Sequence, residues 1–276
     1  MSSEHPDTTV EQKALEKPDT ASGLATATNS NTEEELRMPL WQHLDELRSA
    51  IIRVLLVLGV LVAILFNYSE HVVVLLEKPL LDVLPEGNRQ LYFTGIADKF
   101  MIYIKVSIIA ALAVGSPYIL FEVWRFVAPA LYKNERRLVL PFMLFGSLSF
   151  VAGIVFSYYV VMPYSYDFLI NFGSSTDQAI ITLTEYFGMT TKLLLALGLV
   201  FELPAVMILL ALLGVLEAGV LEKYRRYAVL AISVIAALIT PSPDALTMLI
   251  VMVPLYLLYE VSIIGVRLVS KRPAEH

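Results

Sequence analysis

Glu202 is a lone carboxylate within an apolar stretch, residues 199–204 (LVFELP). In the hydrocarbon of a membrane an ionised carboxylate costs on the order of 3 kcal/mol, so this side chain must be protonated, paired or exposed to a water-filled cavity. Two interpretations fit: a protonated acid that hydrogen-bonds a neighbouring helix, and an acid that faces a substrate cavity. Pro204 lacks the N–H that continues a helix, so it predicts a kink beside Glu202.

The densest group of charges lies in residues 125–137 (RFVAPALYKNERR). Glu135 is a single acid among bases, and Phe126 and Leu131 are apolar side chains that could form a ledge beside it. Glu135 could pair locally with Arg136 or Arg137, which contributes at most about 1 kcal/mol at an exposed site. Alternatively, its carboxylate could receive a cation from a binding partner.

Two further segments carry candidate residues. Leu40, Leu44 and Leu47 recur at helical spacing, which predicts an amphipathic helix over 39–48 that lies on a membrane surface. This helix is either a simple anchor or a surface on which Glu46 and Arg48 meet a partner. In the segment 240–244 (TPSPD), two prolines predict a tight turn, and Asp244 is placed to cap the helix that follows.

Several classes of chemistry are excluded or disfavoured. The chain has no cysteine, so it has no disulfide, no thiol catalysis and no cysteine-ligated metal. Its four histidines are scattered, which disfavours a histidine metal site. None of the GxxxxGK[ST], HExxH, GxSxG and GxGxxG motifs occurs, so we expect neither an enzyme nor a cofactor.

The composition indicates an integral membrane protein. Of the 276 residues, 57% are hydrophobic and 17% are charged, and the mean hydropathy is +0.68. The net charge of −6 comes mainly from the N-terminal residues 1–37, so it does not indicate a nucleic-acid or other highly charged partner. These residues are polar and small, and we expect them to form a disordered acidic tail.

Residues 38–272 are expected to form one all-α membrane domain with six transmembrane helices. A span needs about 20 mostly apolar residues. The six candidates are 50–68, 100–122, 138–162, 188–213, 227–240 and 246–266, of which the fifth is short. Lys and Arg are frequent in 125–137, 223–226 and 267–272 but absent from 163–187 and 241–245, which places both termini in the cytoplasm.

The chain resembles the TatC family, the multi-span core of the twin-arginine protein translocase. The motifs that carry the resemblance are 43–48 (HLDELR), 116–124 (SPYILFEVW), 126–137 (FVAPALYKNERR), 201–204 (FELP), the basic loop 223–227 and 240–244 (TPSPD). The resemblance extends from about residue 39 to about residue 268 in one order and spacing, and it leaves the acidic tail outside.

The resemblance implies a glove-shaped, concave bundle in the cell inner membrane that binds twin-arginine signal peptides of folded precursors. It also implies assembly with the single-span proteins TatA and TatB, a homo-oligomer within the complex, and export driven by the proton motive force. The residues implied to bind the signal are Glu46, Arg48, Phe126, Glu135, Arg136 and Arg137.

The remaining family positions are Glu202, which matches a buried glutamate facing the cavity, and Asp244, which matches an acid at the outer turn where partner helices dock. Pro241 lies in this turn and Met248 follows it, where some relatives have a polar residue. Asp45 is a second acid beside Glu46, which also departs from the family pattern.

Two other functions are conceivable for a chain with a buried acid in a membrane span. A proton-coupled small-solute transporter would use Glu202 as its proton carrier and would need no partner protein. An intramembrane hydrolase fails because Glu202 alone supplies neither a nucleophile–base pair nor a metal site.

Overall fold

The computed structural model describes residues 21–85, 89–127, 139–173, 180–242 and 244–270. These residues form α-helices, one π-helical segment and an isolated β-bridge between Tyr92 and Thr182, which confirms the all-α fold class. The helices are α1 (Ala21–Phe66), α2 (Ser69–Leu81), α3 (Asp98–Val127), α4 (Val139–Phe156), α5 (Met162–Asn171), α6 (Leu183–Phe201), α7 (Leu203–Leu212), α8 (Ala218–Lys223), α9 (Arg225–Ile239) and α10 (Ala245–Ser270); the π-helical segment Ser157–Val161 joins α4 to α5.

Five stretches of the described chain are long and apolar enough to cross a membrane. They are Leu44–Phe66, Asp98–Phe126, Leu140–Asn171, Leu183–Leu212 and Ala245–Val269. They correspond to the predicted spans one, two, three, four and six, with ends that extend several residues beyond most of the predicted bounds.

The predicted fifth span corresponds to α9, which has 15 residues. At 1.5 Å per residue this helix is about 22 Å long, shorter than the roughly 30 Å of hydrocarbon that a perpendicular span crosses. The bilayer must therefore be thinner around α9 if this helix spans it. The count of six spans stays a prediction.

The start of α1 differs from the sequence expectation. The predicted surface helix 39–48 is not a separate element, because α1 continues from Ala21 to Phe66 without a break. Residues 40–58 contain neither glycine nor proline, so no residue there favours ending the helix. Residues 21–37 of the acidic tail lie in α1, whereas disorder of residues 1–20 stays a prediction, since these lie outside the described residues.

Contacts divide the chain into two compact units, residues 1–48 and 49–276. In the second unit, α4 packs most extensively against α6, and α7 against α10. The buried core of this unit includes Val106, Phe187, Leu194, Leu197 and Leu255.

Glycines let α4 and α6 approach closely. A Cβ atom on Gly153 would lie 2.6 Å from the carbonyl oxygen of Leu197 and 2.9 Å from the Cα of Gly198. A Cβ on Gly198 would lie 2.9 Å from the ring of Phe150. Small residues at a helix crossing are a usual way to bring membrane helices into contact, since no water is available to drive their association.

Prolines in the helices leave carbonyls that side chains satisfy. Pro117 lacks an N–H, so the carbonyl of Ala113 loses its helical donor; the hydroxyl of Ser116 donates to it at 2.9 Å. Pro79 likewise leaves the carbonyl of Leu75 in α2 without its helical donor, and the hydroxyl of Tyr158 donates to that oxygen at 2.8 Å. This second bond joins α2 to the π-helical segment.

We predict that Gly153→Ala lowers the free energy of unfolding by about 1–3 kcal/mol, because the added methyl group meets the backbone of α6. The control is Gly188→Ala on α6, where a Cβ atom has no neighbour within 4 Å; it should be neutral or slightly stabilising. Unfolding of the purified protein in detergent measures both, and equal stability of the two variants would contradict the crossing described above.

Candidate functional site

The helices α3, α4, α6 and α7 border a cavity of about 480 Å³, called here the Glu202 cavity. Its volume lies in the range of ligand-binding pockets. The walls are almost entirely apolar and include Leu120, Phe142, Phe150 and Val206, with Glu202 as the charged residue of the lining. The cavity is therefore suited to an apolar occupant that carries an isolated polar group.

Glu202 lies at the junction between two helices. α6 ends at Phe201 and α7 begins at Leu203, with Pro204 in the first turn of α7. The N–H of Glu202 donates to the carbonyl of Leu199 at 3.1 Å, and the carbonyl of Glu202 accepts from Val206 at 3.0 Å. The predicted interruption beside Glu202 is confirmed, and the residue at this break lies in the cavity wall.

Two polar atoms of the cavity lining are left without hydrogen bonds. Within the part of the chain that the structure describes, neither the buried Oε2 of Glu202 nor the Nε1 of Trp124 has a partner. The backbone of α4 comes close to the first of these, since a Cβ on Gly146 would lie 3.0 Å from Oε2. An unsatisfied buried polar atom costs about 1–3 kcal/mol. Both atoms are buried within the cavity wall, so they are unsatisfied parts of that wall and do not face the open volume of the cavity.

The candidate signal-binding residues are only partly described. Phe126 is half-buried near the end of α3, two residues after Trp124 in the wall of the Glu202 cavity. Glu46 and Arg48 lie on α1 in the unit 1–48, and both are exposed. Glu135, Arg136 and Arg137 lie outside the described residues.

The turn before α10 has the predicted cap. The Oδ1 atom of Asp244 accepts a hydrogen bond from the backbone N–H of Thr247 at 2.7 Å, so Asp244 caps the start of α10. Pro241 precedes it in the bend, and Met248 is half-buried against the core cluster. Burial opposes ionisation of Asp244, but hydrogen bonds from Thr247 outweigh it and hold the pKa of the carboxyl below its usual value.

A second carboxylate, Glu122, is buried and fully paired near the end of α3. The guanidinium of Arg53 donates to it twice, from Nε to Oε1 at 3.0 Å and from Nη2 to Oε2 at 2.7 Å. The hydroxyl of Tyr118 donates to Oε1 at 3.0 Å. The side chain of Glu122 is 3% exposed and that of Arg53 is 37% exposed, so the acid is enclosed by the protein and the base lies partly at its surface.

Ion pairs also fasten α8 and α9 to α10. Arg225 donates to Glu260 at 2.9 Å, and Tyr256 donates to the other oxygen of the same carboxylate at 2.9 Å. Arg267 pairs with Glu222, and its hydrogen bond holds the pKa of that carboxyl below the usual value. The hydroxyl of Tyr259 donates to the carbonyl of Leu221 at 2.7 Å.

A family model described as Sec-independent protein translocase protein (TatC) matches residues 42–254. The chain belongs to the TatC family. The match includes the Glu202 cavity, the Arg53–Glu122 pair and the turn at Asp244.

Curated TatC proteins are similar over most of their length. The Sec-independent protein translocase protein TatC of Desulforapulum autotrophicum is 39% identical over 241 residues, which are 87% of this chain and 88% of that protein. The TatC protein of Escherichia coli is 34% identical over 225 residues, which are 82% of this chain and 86% of that protein.

A solved structure named "Crystal Structure of Twin Arginine Translocase Receptor- TatC" has the same fold. It superposes with a TM-score of 0.69 and is 32% identical, covering 83% of this chain and all of that chain. A second solved TatC structure, in DDM, also has a TM-score of 0.69. The chain is therefore a multi-pass membrane protein of a protein-translocase family.

The sequence alone did not predict the Arg53–Glu122 pair. Both residues were visible, since Arg53 interrupts the apolar run 50–66 and Glu122 lies within the motif 116–124. A base inside a membrane span predicts an acidic partner on another helix. The partner's identity was not accessible, because 69 residues separate the two and no local pattern shows which helix faces which.

We predict that Arg53→Ala destabilises the protein more than Glu122→Gln does. Removing the base leaves an unpaired, buried carboxylate, whereas glutamine keeps an acceptor for the guanidinium and carries no charge. The melting temperature in detergent should fall by several degrees for Arg53→Ala and by less for Glu122→Gln.

The exposed pair of Arg267 and Glu222 supplies the control. Arg267→Ala should change the melting temperature little, because solvent screens this pair. An effect of Arg267→Ala as large as that of Arg53→Ala would contradict the role given to burial of Glu122.

Proposed function

We propose that the chain is the receptor and core subunit of a twin-arginine translocase. It binds twin-arginine signal peptides of folded precursor proteins at its cytoplasmic face and assembles with single-span proteins of the TatA and TatB type. The observation that carries this proposal is the likeness to the solved twin arginine translocase receptor along that protein's whole length. We propose, from the resemblance to the TatC family, that the proton motive force supplies the energy for transport.

The proposed location is the cell inner membrane, with both termini in the cytoplasm. The distribution of Lys and Arg supports this orientation, because basic residues concentrate in connections on the cytoplasmic side. The ion pairs of α8, α9 and α10 lie on the same proposed side, together with the end of α3 that carries Phe126. A cytoplasmic binding surface suits precursors that are made and folded in the cytoplasm.

Carboxylates are the proposed partners of the two arginines. A guanidinium presents N–H groups in a planar fork, and a carboxylate accepts two of them at once. We propose Glu46 and Glu135 as these carboxylates, and Arg48, Phe126, Arg136 and Arg137 as further residues that contact the signal. Lysine lacks the planar fork, which explains why a paired-lysine signal should bind less well.

The Glu202 cavity is the proposed site for the apolar part of the signal or for a partner helix. Its apolar walls suit a hydrophobic segment, and Glu202 is the charged residue of the described lining. Asp244 and Pro241, with Met248 beside them, are proposed as a docking site for a partner helix at the opposite end of α10 from the basic tail. Subunits of this kind act by binding, so no catalytic residue or cofactor is proposed.

We predict that the combined substitution Glu46→Ala and Glu135→Ala reduces export of twin-arginine precursors by about tenfold or more. Loss of two charge-assisted hydrogen-bonding sites removes several kcal/mol of binding free energy. Export is measured in cells as the fraction of a folded reporter found outside the cytoplasm, with membrane insertion of the variant checked by immunoblot.

The matched control for this variant is Glu217→Ala, an exposed acid before α8 whose side chain makes no cap bond; it should export normally. Normal export by the double variant would overturn the receptor proposal. If the double variant exported normally while Glu202→Gln abolished a saturable solute flux, the proton-coupled transporter would be favoured.

A milder effect is expected for Glu202→Ala. Docking of the signal at the cytoplasmic surface should persist, whereas insertion into the Glu202 cavity or assembly with partners should weaken. A photocrosslinker at Val206, which is 48% exposed on the cavity wall, measures the deep contact. An unchanged crosslink in the variant would contradict the role proposed for this carboxylate.

A further inference from the structure

A second cavity, with a volume of about 340 Å³, lies between α2, the start of α3 and the segment 89–95; it is called here the α2 cavity. It is separate from the Glu202 cavity and shares no lining residue with it. Unlike that cavity, its lining includes four charged side chains among apolar ones. Its volume is within the range of small-molecule sites.

One face of α2 supplies the first wall. Glu70, Val73, Val74, Glu77 and Leu81 all line the cavity, at intervals that repeat the helical period. Glu70 and Glu77 are seven residues apart, a rise of about 10 Å between their Cα atoms, and their side chains lie on the same face of α2 as the two valines. Burial raises the pKa of Glu77, and the nearby Lys99 acts in the opposite direction.

The second wall carries two bases. Lys99, at the start of α3, lies with its Nζ atom 4.8 Å from the ring centre of Phe93. Arg89 uses Nε to donate to the carbonyl of Leu84 at 3.3 Å. Its Nη atoms make no hydrogen bond or ion pair with any described residue.

These four charges do not neutralise one another by direct contact. Within residues 21–85, 89–127 and the other described ranges, no salt bridge involves Glu70, Glu77, Arg89 or Lys99. The cavity therefore has two acids on one wall and two bases on the other, with a formal charge that sums to zero. Such a pair of walls is complementary to a ligand that itself carries one positive and one negative group.

The walls are held in place by hydrogen bonds, so the cavity is formed before any ligand arrives. Tyr92 donates to the carbonyl of Ile181 at 3.0 Å, and its own carbonyl accepts from Leu183 at 2.7 Å. Asp98 accepts from the backbone N–H groups of Thr94 at 3.1 Å and Gly95 at 2.7 Å. The hydroxyl of Tyr186 donates to the carbonyl of Leu76, which fixes α2.

The α2 cavity lies where two membrane spans end. The first span ends at Phe66, three residues before α2, and the second begins at Asp98, beside Lys99. The rings of Phe66 and Phe100 meet edge to face with centres 6.3 Å apart, which brings these two span ends together. Charged groups just beyond the end of a span lie at the level of the lipid headgroups.

We propose that the α2 cavity binds the phosphoethanolamine headgroup of a membrane lipid. The phosphate is held by Arg89 and Lys99, and the ammonium group by Glu70 and Glu77. The valines and Leu81 between the charges accommodate the start of the glycerol and acyl portion. This proposal does not depend on the translocase function, because it rests on residues outside the candidate signal-binding surface.

The chemistry distinguishes this headgroup from the other common ones. An ammonium group has three N–H donors for carboxylates, whereas the trimethylammonium of phosphatidylcholine has none. Phosphatidylglycerol carries the phosphate but no cation, so Glu70 and Glu77 would remain unpaired beside an anion. The lipid is favoured over the soluble headgroup because it is present at high local concentration at this level of the membrane.

The test measures lipid binding to the purified full-length protein by native mass spectrometry. Phosphatidylethanolamine, phosphatidylcholine and phosphatidylglycerol with identical acyl chains are titrated separately, and soluble phosphoethanolamine is added as a competitor. We expect phosphatidylethanolamine to bind about tenfold more tightly than either other lipid. Equal affinities, or displacement of the lipid by equimolar soluble phosphoethanolamine, would overturn the proposal.

Variants locate the site. Glu77→Gln should reduce binding of phosphatidylethanolamine to the level of phosphatidylcholine, and Lys99→Gln should weaken all three phospholipids. The control is Lys78→Gln, which removes a charge from α2 at a position that does not line the cavity. If Glu77→Gln fails to fold, the exposed Glu70→Gln replaces it, and an unchanged lipid preference in a folded variant would refute the assignment.

Discussion

The ion pair between Arg53 and Glu122 is the interaction on which the arrangement of the first two spans depends. The first span is the least buried of the five. In its most apolar stretch of 18 residues, 6% is buried inside the protein, whereas the share is 33–39% in the other four spans. Beyond the Arg53–Glu122 pair, its contacts with α3 include the side chains of Leu58 and Leu61 close to Gly115 and the edge-to-face rings at Phe66. Apolar contact alone gives little orientation in lipid, because the acyl chains are as apolar as leucine. A bidentate ion pair in low dielectric fixes both register and rotation.

The same constraint, the absence of water in the hydrocarbon, explains what is satisfied and what is left open. Within the second span, the carbonyl of Ala113 that Pro117 frees receives a hydroxyl donor, and Glu122 receives three hydrogen bonds. The carboxylate of Glu202 differs, since among the described residues its Oε2 has no partner. One buried acid is thus used within the protein to hold helices together. The other, Glu202, lies in the wall of the Glu202 cavity and joins no helices through Oε2 among the described residues.

Local signals in the sequence predicted much of this fold. Apolar run length located the spans, Pro204 predicted the break at Glu202, and the TPSPD turn predicted the cap by Asp244. The features that the sequence did not predict depend on contacts between distant residues or on how far a helix continues. The Arg53–Glu122 pair joins residues far apart in sequence, and the unpaired indole N–H of Trp124 depends on packing. α1 continues through the predicted boundary near residue 39, because no helix-ending residue follows Pro39 until Gly59. The roles of Glu135, Arg136 and Arg137 stay predictions from family resemblance.

The central claim is that the surface beside Phe126 distinguishes paired arginines. The most direct measurement is site-specific photocrosslinking from position 126 to a precursor in native membranes, with a paired-arginine signal compared with the same signal carrying paired lysines. We predict a strong crosslink to the arginine form and its loss with lysines, because only the guanidinium fork can hold two hydrogen bonds to each carboxylate. Equal crosslinks to both forms, or none to either, would contradict the account.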